Sequence, residues 1–135
     1  MLEVRFSVYH HRARQLAGAM QLCQDDLSAY ASAAVLLAVH CAISYSDAVL
    51  IGLGGARPRG ENHLEAIAAL KRACTRAGIE QQGIAQLQKL LNAKTDISYG
   101  DKQIDDAKTT ALCVAAKRFE TWAERVLQRG EGRLS

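Results

Sequence analysis

Lys94, Asp96 and Tyr99 stand within six residues of one another in the polar stretch NAKTDISYGDKQIDD, residues 92–106. A lysine can hold a phosphate as a point charge. An aspartate can orient a donor. A tyrosine hydroxyl, with an ordinary pKa near 10, is a poor base at neutral pH but a good hydrogen-bond donor. His63 follows a loop that carries Arg57 and Arg59 in ARPRGENH. A histidine titrates near neutrality and can accept or deliver a proton there. The neighbouring arginine can clamp an anion.

Other chemistries find less support. No glycine-rich loop is followed by Lys-Ser or Lys-Thr, so a phosphate-binding P-loop is absent. GLGGARPRG, residues 52–60, is glycine-rich but follows a helical pattern, which fails the context of a dinucleotide-binding turn. His10 and His11 are adjacent rather than one helical turn apart, so they do not make a metal face. Cys23, Cys41, Cys74 and Cys113 include no pair within four residues. Buried free thiols in a reducing cytoplasm are the expectation, with neither a metal nor another cofactor. His40 and Asp47 are seven apart in one apolar run and are expected to share a buried face, as a polar pair satisfied by neighbouring helices.

The elements that must position these residues are helical. The chain has 135 residues, 49% hydrophobic and 23% charged, which suits a single domain, residues 1–135, with a real core. One proline among so many alanines and leucines favours helices over strands. Phe6, Tyr9, Ala13, Leu16, Met20, Cys23 and Leu27 alternate spacings of three and four, predicting a helix over about 5–27. The run from Leu27 to Gly55 is apolar nearly all round. Its length would allow a membrane span. His40, Ser44, Ser46 and Asp47 interrupt it, so a helix buried on several sides within the bundle, and no membrane contact, is the expectation.

Asn62 and Glu65 read as a capping box opening a third helix, with Leu64, Ile67, Leu70 and Cys74 inward and Gly78 as its stop. A fourth helix is predicted over about 82–93, with Ile84, Leu87, Leu90 and Leu91 buried. Asp101 reads as the cap of a last helix over about 102–128, whose inward stripe is Leu112, Ala115, Phe119, Trp122 and Val126. The result is an all-α, up-and-down bundle of four to five helices. Net charge is +3 and the basic residues look dispersed, which permits an RNA or acidic partner without requiring one. Aromatics at 5% argue against a base-stacking platform. The opening MLEVRFSVYHHRAR carries charge where a secretory leader would be apolar, an expectation of a cytoplasmic protein.

Three pieces in order carry a family resemblance over about residues 25–128: YASAAVLLAVHCAISYSDAVLIGL, RPRGENHLEAIAAL with His63 opening a helix, and LLNAKTDISYGDKQIDDAKTTALCVAAKRFETW. Together they resemble the HEPN superfamily, the nucleotide-binding helical domains of higher eukaryotes and prokaryotes. The resemblance implies a HEPN-like bundle. Active members are metal-independent ribonucleases that place an Arg and, four to six residues on, a His at the entry to the last helix, and they usually act as dimers. Lys94 stands where that Arg stands, and Tyr99 where the His stands, with Asp96 inside the motif. The resemblance thus implies Lys94, Asp96, Tyr99, His63 and Arg59 as the candidate ligand-binding residues, and Lys94, Tyr99 and His63 as the candidates for any catalysis. Arg5 with His10, and Arg57 with His63, match the loose spacing but at the wrong places in the bundle. The resemblance therefore implies a non-catalytic or weakly catalytic homodimeric module for nucleotide, RNA or partner-protein binding. It further implies a toxin–antitoxin or defence locus, with a minimal nucleotidyltransferase as antitoxin-type partner. The alternative it implies is a working metal-independent ribonuclease using Lys94, Tyr99 and His63.

Overall fold

The computed structural model describes residues 2–55, 63–99 and 104–134, with side chains over 6–55, 64–95 and 104–129. Five helices occupy the described residues, with no strand among them: α1 Leu2–Gln24, α2 Leu27–Gly52, α3 His63–Ala77, α4 Ile84–Tyr99 and α5 Asp106–Leu134.

Local chemistry fixes most of these boundaries. Only Asp25 and Asp26 separate α1 from α2, so the two helices pack as a hairpin. Tyr30, at φ −129° and ψ 22°, kinks α2 after its first turn. α2 and α3 end alike. Gly54 and Gly78 take positive φ, at 82° and 69°. The next amide bonds back five residues, Gly55 to Leu50 at 2.7 Å and Ile79 to Cys74 at 2.9 Å. That closing pattern needs a residue without a Cβ penalty in the left-handed region, and glycine supplies it. At the start of α5, Asp105 Oδ1 accepts the Lys108 amide at 2.7 Å. Asp105 is thus a cap of the last helix. The expected cap, Asp101, lies outside the described residues.

α2 is the axis of the bundle and contacts all four other helices. Tyr45 and Leu50 of α2, Leu70 of α3, Leu87 and Leu90 of α4 and Phe119 of α5 are its largest fully buried side chains. The predicted inward stripe of α5 is buried throughout, and that of α1 is buried or packed against the core. α2 is the one described helix long and apolar enough to cross a membrane, and 78% of its most apolar stretch is buried inside the bundle.

Helix direction departs from simple alternation at one step. Phe6 of α1 approaches Gly52, while Ala13 accepts a hydrogen bond from Cys41, so α1 runs against α2. Tyr45 meets Glu124 and Gly52 meets Leu127, so α2 and α5 run the same way. Arg76, near the end of α3, comes within 3.7 Å of where a Cβ on Gly55 would lie, just past the end of α2. α3 therefore also runs with α2. The bundle is up-and-down except at this α2–α3 crossing.

Three expectations are corrected. α4 continues as helix through Tyr99, well past Ala93, so much of the polar stretch is helical. Thr, Asp and Ser disfavour helix only mildly, and docking on the bundle overrides that. Leu64 is 77% exposed, because the first turn of α3 precedes the packed part of its stripe. His40 is exposed while Asp47 is only 8% exposed. Seven residues are about 10 Å of helix, and over that length α2 passes from a half-covered to a fully covered environment. The two do not form a buried pair.

The α4–α5 contact turns on Gly83. A Cβ there would lie 2.4 Å from Trp122 Cδ2, and the Trp122 indole N–H donates to the Glu80 carbonyl at 3.0 Å. Gly83→Ala must displace a ring pinned on both sides. It should destabilise the fold by about 1–3 kcal/mol. Urea unfolding followed by fluorescence of this single tryptophan measures that, and a midpoint unchanged from the parent would refute the packing role.

Candidate functional site

Of the predicted site residues, His63 opens α3, and Lys94, Asp96 and Tyr99 fall in the last turns of α4. Residues 78–83 reverse the chain between α3 and α4. The first residue of α3, His63, and the last of α4, Tyr99, therefore belong to the same end of that hairpin. Lys94 is half-buried, one turn and a half before the end of α4. The side chains of His63, Asp96 and Tyr99, and all of Arg59, lie outside the described residues. Because α4 is continuous through this segment, positions 94 and 99 are about 140° apart around its axis. The backbone does not direct both at a single reacting atom from one face. It offers instead a charged position and a polar position on different sides of one helix end.

A second polar cluster has no counterpart among the sequence expectations. Glu124 of α5 gathers three partners from two other helices. His10 Nε2 lies 2.7 Å from Glu124 Oε1, Tyr45 Oη donates to the same oxygen at 2.9 Å, and Arg14 grips both oxygens at 3.1 Å. Burial by itself raises the Glu124 carboxyl, but the hydrogen bonds from Arg14, His10 and Tyr45 outweigh it and bring the pKa down to about 2. An ionised carboxylate only accepts, so His10 must be the donor. Tyr45 is pushed well above the ordinary tyrosine value, first by burial and then by its bond to Glu124. Neither group moves a proton near neutral pH. The cluster joins α1, α2 and α5 as a clamp.

Next to it, the Cys41 thiol is raised to about 12, chiefly by burial and then by Glu120. It donates to the Ala13 carbonyl at 3.5 Å. Such a thiol is inert as a nucleophile. All four cysteines are free, and no group of three or more metal-ligating side chains occurs among the described residues.

A concavity lies elsewhere, between the start of α4 and the middle of α5. It holds about 300 Å³ and is lined by Gln82, Gly83, Gln86, Lys117, Arg118 and Arg125, with Thr121 and Trp122 beneath. A narrower continuation, sharing Gln82, Trp122 and Arg125, adds Arg129 and Glu80. None of Lys117, Arg118, Arg125 and Arg129 makes an ion pair with another described residue. The basic residues, dispersed along the sequence, are thus concentrated here in space. The signal was present in the spacing: Arg118, Arg125 and Arg129 are seven and four apart, which puts them on one stripe of a helix. By contrast, no local pattern could have paired His10 with Glu124 across 114 residues.

The clamp has a definite acid dependence. The Glu124 carboxyl titrates near 4.5 when unperturbed and at about 2 in the fold. A lowered folded pKa gives stability that is fully present above pH 4.5 and fades as pH falls toward 2. The parent should exceed Glu124→Gln in stability by about 2–3 kcal/mol above pH 5. That gap should shrink steadily below pH 4.5 in denaturant titrations taken across pH, and a pH-independent gap would contradict the clamp. No protein-family model matches this chain, and no curated protein matches it.

Proposed function

We propose that this protein is a HEPN-type helical module that binds RNA or a nucleotide without cleaving it efficiently, and that it works as a homodimer. The observation that carries the reading is the continuous helix through Lys94 and Tyr99. A metal-independent ribonuclease needs a base or acid and a phosphate clamp converging on one phosphodiester. Lysine and tyrosine, about 140° apart on one helix, supply a phosphate contact and a hydrogen-bond donor but not that convergence. Lys94, Asp96, Tyr99, His63 and Arg59 then serve as ligand-holding residues at one end of the α3–α4 hairpin.

The first half of α2 supports the dimer. Leu36 and Tyr30 are 41% and 53% exposed on a helix that is otherwise apolar. A second copy packed there would remove that surface from water. A cytoplasmic toxin–antitoxin or defence pair with a nucleotidyltransferase partner fits the same reading through the resemblance alone. A second reading, a ribonuclease using Lys94, Tyr99 and His63, is favoured by His63 opening α3 at the end where α4 closes.

The test is an assay of purified protein with labelled tRNA and single-stranded RNA and no added metal, with Lys94→Ala and Tyr99→Phe alongside. The expected result is binding without cleavage, weakened about three- to tenfold by Lys94→Ala, as removal of one phosphate-binding cation implies. Cleavage by the parent that both variants lose would establish the ribonuclease instead. Intact RNA with no binding would remove both.

A further inference from the structure

From the α4–α5 groove we infer a second nucleic-acid contact that the family resemblance does not assign: a track for the phosphate backbone of single-stranded RNA along α5. It rests on RNA being the ligand, but it uses a different place on the molecule. The groove begins at Gln82 and Gln86, eight or more residues before Lys94 on α4. At 1.5 Å per residue it lies about 12–20 Å from the hairpin end.

Four features select this ligand. Charge comes first. Lys117, Arg118, Arg125 and Arg129 face one carboxylate, Glu80, among the residues lining the two connected concavities. That local excess of three positive charges equals the net charge of the whole chain. These cations are not held by acidic neighbours among the described residues, so they are free to meet an outside anion.

Spacing comes second. Arg118, Arg125 and Arg129 lie within about 40° of one another around α5 and extend over about 17 Å of its length. A row of guanidinium groups suits a chain of phosphates better than one small anion. The start of α4 adds the positive end of its dipole to the same groove.

Shape comes third. A concavity of about 300 Å³ has room for a nucleotide of a single strand, whereas a duplex would meet it only with its outer backbone. Depth comes last. Trp122 is the aromatic on this wall, and it is only 7% exposed, with its N–H already committed to the Glu80 carbonyl. It cannot serve as a base-stacking platform. The contact is therefore to the backbone and indifferent to sequence, with Gln82 and Gln86 as hydrogen-bond donors to phosphate or ribose oxygens.

The test measures binding of labelled single-stranded RNA of about 12 nucleotides by anisotropy over a range of salt. The proteins are the parent, Arg118→Ala/Arg125→Ala/Arg129→Ala, and a charge-matched control, Lys71→Ala/Lys89→Ala/Lys108→Ala, on exposed positions outside the groove. Melting curves confirm that each variant folds. The groove variant should weaken binding at least tenfold at low salt and flatten the log–log salt slope by about 2, at about 0.7 for each phosphate no longer neutralised. The control should change binding less than threefold, and duplex RNA of the same length should bind the parent more weakly than the single strand. Equal weakening in groove variant and control would mean diffuse charge attraction and would overturn the track. Binding that Lys94→Ala weakens but the groove variant does not would overturn the track while leaving the hairpin-end reading intact. A parent that binds no RNA would overturn both.

Discussion

The structure depends on keeping α2 out of water. The helix is apolar on nearly every side, so no single amphipathic partner can cover it. Its second half, from Cys41 to Ile51, is buried almost without break, and that requires neighbours on several sides at once. α1 and α5 cover one flank, α4 another, and α3 closes the end. This requirement explains the break in alternation. A third helix running back beside α2 would need only a short turn. Instead α3 runs with α2, and Arg76 near its end comes close to Gly55 just past the end of α2.

An apolar axis does not by itself fix which helix lies against which face. Leucine and alanine surfaces tolerate rotation and sliding, and specificity has to come from groups that lose energy when misplaced. Glu124 is such a group. Its carboxylate is partly buried and satisfied only when His10, Arg14 and Tyr45 converge, so a slip of α1 or α2 by one turn leaves a charge without partners. Gly83 plays the same part for α4. The Trp122 ring occupies the space where any side chain at position 83 would stand. Polar convergence fixes one side of α5, and steric fit fixes the other.

How much of this was legible in the sequence follows from the range of the interactions. The inward stripes of α1, α4 and α5 were readable because helical periodicity is local, and Gly78 was readable because its role depends on one backbone angle. The end of α4 was misplaced because the polar residues after Ala93 resemble a junction, while docking of the hairpin holds them helical. His40 and Asp47 misled for a related reason. Their shared face was right, but burial changes along α2, and only the neighbouring helices reveal where. The Glu124 clamp had no local signal. The arginine stripe did have one, and was hidden because net charge averages over faces that a helix keeps separate.

That separation bears on function. α4 connects Lys94, near the hairpin end, with the cationic groove at its own start, and α5 supplies most of the charge in that groove. A rigid helix between two phosphate contacts sets their distance, and a strand that meets both is held at two points rather than one. Two weak contacts on one ligand act with an effective concentration fixed by that geometry, so their joint affinity can exceed either alone by orders of magnitude. On the proposed reading, a bundle of this kind would hold RNA by charge placement. The helix length that the buried core imposes on α4 would then also be the spacing that selects an extended strand over a compact anion.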